Sequence, residues 1–170
     1  MSVQIYTDGS SIDEGVGSVA VLYIYNTPQQ MLQFYLGSED HHTVYEAKLV
    51  GLTLAAGLLQ QPDFLEDVSI TFNNQVAIKW QLTTAVLQDN NSSELIKWHQ
   101  GLLIKIHCIH GHKGILGNEE ADKVAKQVAK QQGDPPLILP SILHSPLPHR
   151  KSTSKTNFAK QLKEDAYILF

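Results

Sequence analysis

"TVYEAKLVGLTLAAGLLQQPDFLEDVSITF" (Thr43–Phe72) is the stretch that decides the fold. Ala47, Val50, Gly51, Leu54, Ala55 and Leu58 recur at i, i+3, i+4, i+7, i+8 and i+11, which lays one apolar stripe along a helix. Thr43 and Glu46 stand in the spacing of a capping box at its start, and Pro62 stops it. Val68-Ser69-Ile70-Thr71-Phe72 follows as a short apolar run of the kind that forms a buried strand. A helix that leads into a buried strand is a crossover, so this strand is expected to lie parallel to one that precedes the helix.

Upstream, "SVQIYTDGSS" (2–11), "GVGSVAVLYIYN" (15–26) and "MLQFYLG" (31–37) read as three strands, with Pro28 in the turn after the second. Their short connections predict an antiparallel meander. Downstream, "QVAIKWQLTTAVL" (75–87) and "SSELIKWHQGLL" (92–103) read as helices, and "IKIHCIH" (104–110) as a fifth strand. "NEEADKVAKQVAKQ" (118–131) reads as a helix burying Ala121, Val124, Ala125 and Val128. The whole is an α/β domain with a mixed sheet over residues 1–133. Five of the seven prolines fall in 135–148 and periodicity is lost there, so 134–170 reads as a poorly packed tail with a short helix at its end.

At 42% hydrophobic and 18% charged, the 170 residues can bury a core, and disorder throughout is excluded. No apolar run approaches the ~18 residues of a membrane span, and no basic n-region opens the chain. The expectation is an intracellular protein, cytoplasmic or nuclear, that is not secreted and does not meet a membrane. A single cysteine, Cys108, excludes an internal disulfide. Residues 1–94 hold 11 acids against 2 lysines, and residues 95–170 hold 6 acids against 11 bases, so an acidic half precedes a basic one. That asymmetry fits a metal site beside a phosphate-binding face, or simply uneven surface charge.

Four positions stand at the carboxyl ends of the strands or at helix starts: Asp8 in "TDGSS", Glu46, Asn73 after strand four, and Asp122 in the first turn of the last helix. Each has a plain structural reading as a turn former, a capping residue or a helix-dipole partner. Taken together on one sheet edge, their carboxylates would repel unless cations sat between them. Oxygen-only ligands select Mg²⁺ or Mn²⁺, and two such ions ~3.5–4 Å apart clamp the attacking and leaving oxygens of a phosphodiester. His107, Cys108, His110 and His112 offer zinc-type ligands but lack a second pair at finger-like spacing.

"YTDGS", "YEAKLVGL", "ITFNNQVAI" and "GHKGILGNEEADKVAK", in this order and spacing over about residues 3–132, resemble the motifs of the ribonuclease H family. The likeness is greatest to RNase H domains of retroelements that encode a reverse transcriptase, particularly fungal ones. The resemblance implies a five-stranded sheet of order 3-2-1-4-5 flanked by helices, and hydrolysis of the RNA strand of RNA–DNA hybrids. It implies two Mg²⁺ ions, with Mn²⁺ as a substitute, held by Asp8, Glu46, Asn73 and Asp122. It gives His112 a part in catalysis through product release and implies substrate contacts from Gly9, Ser10, Asn74, Gln75 and Asn118. A reverse transcriptase domain in a parent polyprotein is the implied neighbour.

Asn73 stands where the family pattern has an aspartate. An amide brings no charge, and one charge lost ~4 Å from a cation is worth about 4 kcal/mol at an effective dielectric near 20. Carried wholly into a barrier, that is roughly three decades of rate. The expectation is a nuclease impaired as its sequence stands, with a non-catalytic module binding nucleic acid or a protein partner as the alternative. The segment between 76 and 103 also lacks the lysine-rich protrusion that some cellular members carry.

Overall fold

The computed structural model describes residues 3–59, 67–72, 94–99, 102–109, 114–130 and 133–147. Alternation at the start of β1 (Val3–Ile12), an apolar run in β2 (Gly15–Ile24), β3 (Thr27–Ser38) and two tight turns build the meander. Both turns are two-residue connections with positive φ at each residue: Asp13 at 51°, Glu14 at 65°, Tyr25 at 50° and Asn26 at 60°. Such turns match the twist of the flanking strands, and Asn and Gly suit them far better than Glu or Tyr. β1 does not stop at Asp8-Gly9 as the sequence suggested, because pairing with β2 carries it on to Ile12. Pro28 falls inside β3 rather than in the turn, a position that an edge strand tolerates.

α1 (Val44–Leu59) buries Ala47, Val50, Gly51, Leu54, Ala55 and Leu58, the stripe expected from the spacing. It crosses over to β4 (Val68–Phe72), which runs parallel to β1 with Val3 opposite Val68 and Thr7 opposite Phe72. β5 (Glu94–His99) and β6 (Leu102–Cys108) form an antiparallel hairpin, and β6 also lies parallel to β4. The strands β3-β2-β1-β4-β6 reproduce the expected 3-2-1-4-5 order, and β5 adds a sixth strand at the edge. The helix expected over 92–103 is therefore a correction. Its described residues fall in two antiparallel strands, Glu94–His99 and Leu102–Cys108, while Gln100 and Gly101 lie outside the described residues. The helix expected over 75–87 lies outside the described residues.

α1 covers one face of the sheet and α2 (Leu116–Lys130) the other. On the α1 face Val3, Ile5, Ala20, Leu22, Leu54, Leu58, Ile70 and Phe72 share one core. On the α2 face Val19, Val21, Ala121, Val124, Ala125 and Val128 form a second, smaller one.

The stretch after α2 corrects the expectation of poor packing from residue 134 onward. Asp134 donates its backbone N–H to the Gln33 carbonyl at 3.0 Å, and its Oδ2 accepts from the Gln33 N–H at 2.7 Å. Two single-turn 3-10 helices, Pro136–Ile138 and Ser141–Leu143, follow; Leu139 and Leu143 enter the α1-side core, and the Pro140 ring lies over Gly57. Short turns that each sink one leucine show no helical period, which is why the sequence reads as tail. Residues 148–170, with the expected terminal helix, lie outside the described residues.

Candidate active site

Asp8 sits one residue beyond the last β1–β4 pair, where the described part of β4 ends at Phe72. It is 3% exposed. Its neighbours are set by Gly9: a Cβ there would lie 2.6 Å from the Ala47 carbonyl carbon, the Ala47 Cβ and the Lys48 backbone nitrogen. Only glycine lets the start of α1 press this closely on β1. The expectation of a substrate contact at Gly9 thus meets a packing role. Ser18 of β2 fastens the same junction, donating its hydroxyl to the Ala47 carbonyl at 2.6 Å, with the Asp8 carbonyl oxygen 3.5 Å away.

The close approach delivers Lys48 to Asp8. Its Nζ lies 3.2 Å from Asp8 Oδ1, which also accepts the Gly9 N–H at 2.8 Å. A buried carboxylate without a partner is costly, and this lysine neutralises it. Sequence reading overlooked Lys48. The available signal was its place two residues after Glu46, off the buried stripe of α1 and next to the helix start expected at the strand ends.

Glu46 forms the capping box that its spacing predicted. Thr43 donates to Oε2 from its N–H at 2.6 Å and from its hydroxyl at 3.0 Å, while the Glu46 N–H donates to Thr43 Oγ1 at 3.2 Å. His42 Nδ1 stands 3.9 Å from the same Oε2. Asp122 lies in the second turn of α2 rather than the first, because the helix begins at Leu116 and Glu119 occupies its first turn. Its Oδ2 is bound by Lys126 Nζ at 2.6 Å. Asp122, Lys123, Lys126, Gln127, Lys130 and Ile12 line an open groove of about 350 Å³.

Asn118, expected to touch substrate, is 0% exposed, and neither atom of its side-chain amide has a partner among the described residues. Ser10 is half-buried on β1. Asn73, Asn74, Gln75 and His112 lie outside the described residues.

The carboxylates of Asp8, Glu46 and Asp122 are hard oxygen donors of the kind that Mg²⁺ or Mn²⁺ takes. Their oxygens are already engaged, so such an ion would have to displace a lysine or open a helix cap. Asp8 and Asp122 each hold a lysine, Glu46 closes a helix cap, and no group of three His, Cys, Asp or Glu among the described residues could hold a metal. The fourth expected ligand, Asn73, lies outside the described residues.

On the α2 face, Tyr6 and Tyr23 meet edge to face, centroids 5.4 Å apart, and Tyr6 donates its hydroxyl to Gln4 Oε1. Burial pushes both phenols above their ordinary value, helped at Tyr23 by Glu120 and Tyr6. Among the described residues, no helix is long and apolar enough to cross a membrane.

The RNase H family model, "RNase H", matches residues 1–130. Ribonuclease H1 of Mus musculus is 40% identical over 57 residues, 32% of this chain and 20% of that protein, so the chain spans about one fifth of the length of this curated relative. LC11-RNase H1, isolated from compost by a metagenomic approach, shares the fold with a TM-score of 0.52 at 15% identity, covering 76% of this chain and 96% of that one. The prototype foamy virus protease-reverse transcriptase aligns with a TM-score of 0.47 at 18% identity, over 76% of this chain and 21% of that one.

Proposed function

The chain belongs to the RNase H family, and on that premise we propose that it is an endonuclease of the RNA strand of RNA–DNA hybrids, attenuated in this chain. The family match over residues 1–130, with Asp8 buried where β4 ends beside β1, is the observation that carries this reading. The family generally uses divalent metals. Two Mg²⁺ ions, or Mn²⁺ in their place, are the cofactors proposed for this chain. The attenuation is attributed to Asn73, which cannot supply the anionic ligand, and to the lysine and cap partners already on Asp8, Asp122 and Glu46. The four quoted motifs support an origin in a retroelement, of fungal type, acting inside the cell beside a reverse transcriptase domain.

A second reading has its own support. Asp8, Glu46 and Asp122 are each satisfied locally, as expected of a module that binds hybrid or a protein partner without cutting. A cleavage assay on labelled hybrid in Mg²⁺ and in Mn²⁺, with Asn73→Asp alongside, separates the two. The nuclease reading expects slow RNA cleavage that Asn73→Asp raises by orders of magnitude, and loss of that gain when Asp8→Ala is added. Hybrid binding with no cleavage by either version sinks it in favour of the module.

A further inference from the structure

We propose that Lys48 is a resident counter-cation of Asp8: its ammonium takes the side of the carboxylate where a divalent ion would bind, so divalent binding at Asp8 competes with a cation built into α1. The inference deepens the nuclease reading and rests on its view of Asp8 as a ligand.

Three observations converge on it. First, Asp8 is 3% exposed and Lys48 18%, so the pair is withdrawn from water and screened far less than a surface pair. Second, the approach is fixed by backbone. A Gly9 Cβ would lie 2.6 Å from the Lys48 nitrogen, and Ser18 ties Ala47, the residue before Lys48, to β2. The lysine therefore starts beside Asp8 whatever its rotamer. Third, Oδ1 already accepts the Gly9 N–H and the Lys48 ammonium, at 2.8 and 3.2 Å. An ion using that oxygen must displace a tethered charge whose effective concentration greatly exceeds that of any free ion in solution. The Asp122–Lys126 pair differs: it is an i,i+4 pair on a helix surface with Lys126 46% exposed, and water and salt weaken it.

The test is Mn²⁺ binding by the whole chain, read from the electron paramagnetic resonance of free Mn²⁺, without any cleavage. Asp8→Asn and the unaltered chain should bind Mn²⁺ equally weakly, since Lys48 already blocks Asp8. Lys48→Met should bind about tenfold more tightly or better, as expected when a buried carboxylate loses a close counter-charge. Lys48→Arg should behave like the unaltered chain, and Asp8→Asn combined with Lys48→Met should lose the gain. Added Mn²⁺ should raise the melting temperature of Lys48→Met far more than that of the unaltered chain.

Equal Mn²⁺ affinity in Lys48→Met and the unaltered chain overturns the proposal. So does a gain that survives Asp8→Asn. Should Lys48→Met fail to fold, the first comparison still decides: an unaltered chain that binds Mn²⁺ clearly better than Asp8→Asn shows that Lys48 does not block the site. Hybrid binding by fluorescence anisotropy keeps the two readings apart. A Lys48→Met gain without hybrid binding or cleavage leaves the counter-cation standing and removes the nuclease, and cleavage with equal Mn²⁺ affinities does the reverse.

Discussion

Gly9→Ala is the substitution that should cost most for one added methyl. The new Cβ would meet the Ala47 carbonyl carbon, the Ala47 Cβ and the Lys48 nitrogen at 2.6 Å, and two of these three atoms are backbone. No side chain can swing away, so α1 must move off β1. Overpacking of this kind costs about 2–3 kcal/mol. The shift also strains the Ser18 hydroxyl bond to the Ala47 carbonyl, 2.6 Å long, worth about 1 kcal/mol. Loss of glycine freedom in the unfolded chain returns about 0.5–1 kcal/mol. The net is about 2–3 kcal/mol, or a melting temperature lower by about 5–10 °C for a domain of this size. Gly51→Ala serves as the comparison: its Cβ would stand 3.2 Å from Thr7 Cβ, 3.3 Å from Ser18 Oγ and 3.4 Å from the Val19 carbonyl oxygen, separations that a slight local shift relieves. It should cost under about 1 kcal/mol. Urea unfolding of both variants measures the difference. A Gly9→Ala cost within about 0.5 kcal/mol of that of Gly51→Ala would refute the claim that backbone contact at Gly9 fixes the site.

Three further outcomes follow from the described geometry. Replacing Tyr25-Asn26 by Asn-Gly should stabilise by about 1–2 kcal/mol, because both residues hold positive φ and Tyr25 is 68% exposed, so little packing is lost; urea midpoints test this. Burial holds the Tyr6 proton more tightly in the folded chain than in the unfolded one, so that contribution to stability is intact below pH 10.0 and is lost as pH rises through the raised value; melting temperatures between pH 9 and 11.5 should fall less in Tyr6→Phe. Leu139→Ala and Leu143→Ala should each cost about 2–4 kcal/mol, whereas Leu137→Ala, at a residue 91% exposed, should stay within about 0.5 kcal/mol; equal costs at all three would mean that this stretch does not pack.

The sequence showed most clearly what repeats and least clearly what depends on a partner elsewhere in the chain. The α1 stripe from Ala47 to Leu58 was readable because helical spacing and burial coincide at every position. The capping box of Thr43 and Glu46 was readable because it is local. Residues 94–99 are ambiguous by sequence because a short run of this kind fits helix or strand alike, and pairing with β6 decides from outside the segment. Asp8 is legible from its place at the strand end, but nothing local points to its partner Lys48, 40 positions away by residue number. The closeness of that pair comes from an absent side chain at Gly9, and no pattern of side chains announces it.

The pairing of Asp134 with Gln33 joins residues 101 positions apart, and this distance shapes how the fold is completed. The meander needs only neighbours in sequence and can form early, whereas closing so long a loop costs entropy before it returns any contact. During synthesis at ~5–20 residues per second, β3 would wait roughly 5–20 s for residue 134 to emerge. Until then its outer edge is open to the wrong strand, and unpaired edges of this kind seed aggregation. Pro28, which has no N–H to offer, and the irregular register between Leu22 and Tyr23 blunt one end of that edge in the interval. Timing of emergence, and not only final stability, is thus a property on which residues 133–147 bear.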